Sequence, residues 1–154
     1  MESNIETKSN SKEQLQAQKQ HVTRPRILVV EDDMTQEPFW DYIIERAAEK
    51  AIVSWATSVA EADEMIFIAQ MEGTPFDLVV SDIFLSGSLT GIDLWQRFNH
   101  QLNGNFLLIS SIDPMKLQKH LAGLGAPIYI QKPLNVHETI ETVYGLLQRP
   151  ITSQ

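Results

Sequence analysis

The sequence predicts a doubly wound α/β domain, with a parallel sheet covered by helices on both faces. Three observations point there. From Arg26 onward, five short apolar runs of strand length alternate with five stretches of helical periodicity. The runs are apolar along their whole length, not at every second position, which marks strands buried on both faces. At 154 residues, 43% hydrophobic and 21% charged, the chain is about one domain with an ordinary core.

The elements follow in order. Ile27-Leu28-Val29-Val30 opens the domain as a β-branched-rich strand, and Phe39, Ile43, Ile44 and Ala47 line one side of the first helix. A second strand over 52–56 leads to a helix with Val59, Ala62, Ile66 and Ala69 inward; Ser58 with Glu61 marks its start, since the serine can accept from exposed backbone N–H groups. The third strand, 78–80, precedes a helix carrying Ile92, Trp95 and Phe98. The fourth, 106–109, precedes one carrying Leu117, Leu121 and Leu124. The fifth, 128–130, leads to a last helix with Val136, Ile140, Val143 and Leu147, opened by Asn135 with Glu138.

Residues 1–25 differ in texture. They are rich in Ser, Asn, Gln, Lys and Glu, and read as a mobile tail in which 12–20 can form a transient helix suited to docking. The domain is expected over 26–148, with a short tail at 149–154 too small for an output domain. A net charge of −8 argues against nonspecific binding to nucleic acid or anionic membranes. Without cysteine there is no disulfide, thiolate metal site or thiol nucleophile. No apolar run reaches the roughly 18 residues of a membrane span, so a soluble, cytoplasmic protein is expected.

Doubly wound sheets bind ligands outside the carboxyl ends of their strands. Those ends read Glu31-Asp32-Asp33, Asp82, Ser110-Ser111 and Lys132-Pro133. Crowded carboxylates repel one another unless a cation intervenes, and a hard, oxygen-loving ion such as Mg²⁺ suits them. Screened in that way, one aspartate can attack a phosphoryl group, with a lysine and a serine contacting the phosphoryl oxygens. The set describes an aspartyl-phosphate site.

Here the sequence resembles the receiver domain of two-component response regulators. The likeness runs through ILVVEDD at 27–33, DLVVSDIFL at 77–85, GIDL at 91–94, LLISS at 107–111 and YIQKPL at 129–134, and the five pieces in order make it specific. It implies a flavodoxin-like (βα)5 fold with strand order 2-1-3-4-5. It implies that Glu31 and Asp32 are the acidic pair and Asp82 the phosphoacceptor, with Mg²⁺ held by Glu31, Asp32, Asp82 and the Phe84 backbone carbonyl. Ser110 takes the position of the switch hydroxyl, Ser111 the small residue after it, Lys132 the phosphate-binding lysine and Tyr129 the switch aromatic. The bond to Pro133 is cis in relatives. The partners implied are a histidine kinase or histidine phosphotransfer protein and a downstream protein, with a homodimer through the fourth-helix to fifth-helix face as a further possibility of the family.

Two departures stand out. Ser86 replaces the usual proline and the loop from Asp82 to Gly91 has one extra residue, and the stretch from Asp32 to Asp82 is longer than usual, with the excess placed in the first two helices and the connection at 72–75. Other residues carry less. His21, His100, His120 and His137 lack metal spacing and read as surface groups; Trp40, Trp55 and Trp95 read as core or half-core, and Gly87 and Gly91 as turn residues. Two other functions fit less well. An unphosphorylated adaptor is favoured by the altered loop and opposed by the intact acids, serine and lysine. A phosphatase would need an acid two residues past Asp82, where Phe84 stands, so no enzyme is expected beyond slow self-catalysed phosphorylation and dephosphorylation.

Overall fold

The computed structural model describes residues 24–85, 90–99 and 105–148. The N-terminal tail with its 12–20 segment, His21, His100, the altered loop at 86–89 and the last six residues lie outside the described residues.

Five strands, β1 (Arg26–Val30), β2 (Ile52–Ala56), β3 (Leu78–Asp82), β4 (Phe106–Ser110) and β5 (Ile128–Gln131), pair in parallel in the order β2-β1-β3-β4-β5. The helices between and after them are α1 (Glu37–Ala47), α2 (Val59–Met71), α3 (Gly91–Phe98), α4 (Pro114–Leu121) and α5 (Val136–Gln148). This is the flavodoxin-like arrangement expected from the resemblance. Alternate residues of each strand face opposite layers. Leu28, Val30, Val79 and Leu108 pack under α2, α3 and α4, whereas Ile27, Val29, Val80, Leu107 and Ile109 pack under α1 and α5.

Every residue of β3 and β4 is buried, as is all of β1 after Arg26. The edge strands depart from the expected burial on both faces. In β2, Ile52 is exposed and Val53, Ser54 and Trp55 are half-buried; in β5 only Ile130 is buried. Edge strands have one neighbour and fewer helices above them, which explains the difference.

The helix starts are set by local chemistry. The Glu61 amide donates to Ser58 Oγ at 3.1 Å and the Glu138 amide to Asn135 Oδ1 at 3.0 Å, as the sequence predicts. Thr90 and Asp93 form a reciprocal capping box on α3. Asp113 accepts from the Met115 and Lys116 amides to start α4, followed by Pro114, which suits a first turn. The same helix ends at Leu121, so Leu124, expected on it, lies in the following turn and is exposed.

Gly91 matters for a steric reason. Its N–H donates to the Ile83 carbonyl at 2.9 Å, and a Cβ there would overlap the Asp82 carbonyl oxygen. Backbone meets backbone, so neither side can yield without moving β3 or α3. Gly91→Ala is therefore expected to destabilise the protein by about 1–3 kcal/mol, read as a lower urea midpoint with an unchanged slope.

Candidate functional site

The β3 strand ends on Asp82 in the middle of the sheet, with the end of β1 on one side and those of β4 and β5 on the other. Around these ends lies a cavity of about 430 Å³, lined by Glu31, Asp32, Asp33, Gln36, Phe39, Asp82, Phe84, Ser111, Lys132, Pro133 and Leu134. Asp82 is buried, its side chain only 6% exposed. Its Oδ2 accepts from Lys132 Nζ at 2.5 Å and its Oδ1 from the Phe84 amide at 3.0 Å. The Lys132-Pro133 peptide bond is cis, and the Lys132 amide donates to the Ser110 carbonyl at 2.7 Å.

Four carboxylates and one ammonium face this cavity. Glu31 is pushed up from 4.5 to about 7. Burial is the main cause, and the Asp82 charge and a side-chain hydrogen bond with Asp32 add to it, against the Asp33 amide and the Lys132 charge. Lys132 loses water, which works against its charge, yet Asp82, Glu31 and Asp32 outweigh that and raise it above its ordinary value. Asp33 is held below the usual carboxylate range by hydrogen bonds from Thr35. Its Oδ1 accepts from the Thr35 amide at 3.0 Å and hydroxyl at 2.6 Å, starting a 3-10 turn over Met34–Gln36.

The predicted residues divide in two. Glu31, Asp32, Asp82, Phe84, Lys132 and Pro133 come together at the cavity. Ser110 and Tyr129 are not on its wall. The Ser110 hydroxyl is buried and turned to the next loop, accepting from the Ile112 amide at 3.1 Å and donating to the Ile112 carbonyl at 3.4 Å, while Ser111 faces the cavity. Tyr129 is half-buried against the layer of α2, α3 and α4. Sequence reasoning missed Gln36, Phe39 and Leu134. The Asp33-Met34-Thr35 pattern, an aspartate able to turn the chain onto its own threonine, was the signal for the first two.

The donor set is all hard oxygen with excess negative charge. Such a set fits a divalent cation. Among the described residues no three His, Cys, Asp or Glu side chains are disposed to hold a metal by themselves, so backbone carbonyl and water oxygens would have to contribute, as they do for Mg²⁺.

The family model for the response regulator receiver domain matches residues 27–144. Among solved structures, the chain is similar to the non-phosphorylated HemR receiver domain from Leptospira biflexa, with 28% identity, a TM-score of 0.65, and coverage of 82% of this chain and 98% of that one. It is also similar to a CheY-like response regulator receiver domain protein from Methanospirillum hungatei JF-1, with 25% identity, a TM-score of 0.63, and coverage of 81% and 94%. A response regulator receiver protein from Sinorhizobium medicae WSM419, 23% identical with a TM-score of 0.66 and coverage of 82% and 96%, shares the fold. No match was found among curated proteins.

The state of Glu31 is testable in metal-free buffer. Between its ordinary value of 4.5 and its folded value of about 7, the native protein holds a proton that the unfolded chain has released. Stability contributed by Glu31 is thus complete below about pH 4.5 and is lost as pH rises through about 7. Urea unfolding from pH 5 to 8 is expected to show Glu31→Gln losing less stability than the native sequence over that range. Parallel curves for the two proteins would show that Glu31 titrates normally.

Proposed function

The chain belongs to the response regulator receiver domain family, and on that premise we propose that it is a phosphorylation-controlled switch whose phosphoacceptor is Asp82. The observation that carries this reading is the buried Asp82 carboxylate, paired with Lys132 at 2.5 Å and facing the acidic end of β1 across one cavity.

The donor is a phosphohistidine on a histidine kinase or phosphotransfer protein. An Asp82 carboxylate oxygen attacks phosphorus, a P–O bond forms as the P–N bond breaks, and the electron pair leaves on the imidazole of the donor. Glu31, Asp32, Asp82 and the Phe84 carbonyl, with water oxygens completing the shell, would hold Mg²⁺, and the ion would supply the positive charge that lets anion approach anion. Lys132 already touches the Asp82 carboxylate and can follow the charge onto the phosphoryl oxygens. Phe84, two residues past Asp82, offers no acid for rapid hydrolysis, which supports a phosphoacceptor whose turnover is slow.

The new group adds about two negative charges. Ser110 answers by exchanging its Ile112 contacts for a phosphoryl oxygen, which frees the loop after β4; Ile112 and Tyr129, both on the same helix layer, then resettle. The altered surface docks a downstream protein or passes the phosphoryl group onward.

Acetyl phosphate with Mg²⁺ is expected to label the protein on one residue, and Asp82→Asn to reduce the label to background. Chelation of the metal, or Glu31→Gln with Asp32→Asn, is expected to slow labelling by about a hundredfold. Undiminished uptake by Asp82→Asn would refute the assignment.

A further inference from the structure

Helix α2 is apolar on two sides. Its inward side, Val59, Ala62, Ile66 and Ala69, is buried in the core. Its outward side carries Phe67, Ile68 and Met71, which are 60%, 44% and 73% exposed. Residues three and four apart on a helix stand beside one another, so these three form one ridge on the C-terminal half of α2. A helix hydrophobic all round is ordinarily covered, and contiguous exposed apolar surface marks an interaction site.

The charges carried by α2 itself have one sign. Residues 59–72 include Glu61, Asp63, Glu64 and Glu72 and contain no Lys or Arg. Asp63 is paired with Arg97 of α3 at 2.8 Å, and Glu61 accepts from the Thr57 amide and hydroxyl, each at 2.9 Å. Glu64, one turn before Phe67 and Ile68, and Glu72, one turn after Ile68, form no ion pair among the described residues. Glu72 is also the C-cap of α2, at the negative end of the helix dipole, where a cation is favoured and an anion is not.

We infer that the outer face of α2 docks a partner protein's amphipathic helix bearing Lys or Arg beside its apolar stripe. Phe and Met suit such a surface, since both are enriched at interface cores and Met adapts to irregular partners. A second copy of this chain would bring Glu64 and Glu72 against like charges, and an anionic membrane would repel them. The docking does not involve Asp82.

The test uses the full chain and a fluorescein-labelled synthetic helix with Leu on one side and Lys on the other, followed by anisotropy and amide hydrogen exchange. Binding should protect the amides of α2. The exposed double substitution Phe67→Ser with Met71→Ser should weaken binding about tenfold or more with an unchanged circular dichroism spectrum. Glu64→Gln with Glu72→Gln should weaken it and flatten its salt dependence, and a peptide with Glu in place of Lys should not bind. Equal binding by the native chain and both variants, or protection confined to other elements, overturns the inference. So does a dimer in sedimentation that Phe67→Ser with Met71→Ser dissociates. Carbodiimide cross-links from Lys8, Lys12 or Lys19 to Glu64 or Glu72 within the free chain would also overturn it, assigning the ridge to the chain's own N-terminal residues.

Discussion

The Asp82–Lys132 ion pair governs the arrangement of the site. β3 is the central strand and is buried throughout, so a carboxylate on its last residue is largely removed from water. That removal is costly, and it is offset here by one ammonium at 2.5 Å and one backbone N–H at 3.0 Å. A buried pair of this kind is weak as a device for stability, because an apolar replacement of similar shape is often as good or better. Its presence beside Glu31 and Asp32 makes sense as chemistry. Burial, with the Asp82 charge adding to it, pushes Glu31 up to about 7 despite the Lys132 ammonium.

From that pair, contacts lead outward along the β4–β5 edge. The Lys132 amide donates to the Ser110 carbonyl, and Ser110 pairs with Gln131 in the sheet register. The Ser110 hydroxyl holds Ile112 through both its amide and its carbonyl. Ile112 and Tyr129 pack on the same helix layer. A change in what Ser110 binds would release the Ile112 amide and carbonyl, and so alter the loop after β4, whose Ile112 packs on the same layer as Tyr129. On the other side, Gly91 presses on the Asp82 carbonyl, so the start of α3 also feels the position of Asp82.

Much of this was legible in the sequence because the signals were local or repeated. The apolar runs of β1, β3 and β4 appear as buried strands, and the residues that close them converge because parallel strands end on one edge. The edge strands were harder to read. Ile52, Val53 and Trp55 look as apolar as the residues of β1, and nothing in their types shows that one side lacks a neighbour. The orientation of Ser110 was beyond reach for another reason: two adjacent serines offer the same chemistry, and the choice of which faces the cavity is made by the Ile112 contacts. The outer side of α2 was also hidden, since the inward pattern of Val59, Ala62, Ile66 and Ala69 satisfies helical periodicity without accounting for Phe67, Ile68 and Met71.

Topology separates the two surfaces. In a parallel sheet the connecting helices run back against the strands, so α2 begins near the strand ends that carry Asp82 and finishes toward the edge where the strands start. The exposed ridge sits on the finishing half, away from the cavity. A helix docked there would leave the path of a phosphohistidine to Asp82 open. The two surfaces are still joined by structure, because Asp63 of α2 is paired with Arg97 of α3 and the first residue of α3 lies against the Asp82 carbonyl. Occupancy of one surface can bias the other through that α2–α3 contact and through the core that α2 shares with β1 and β3. The Arg97–Asp63 pair is partly exposed, where ion pairs are worth little, so the share of the bias that it carries would be small and sensitive to salt, and the packed core would carry the rest.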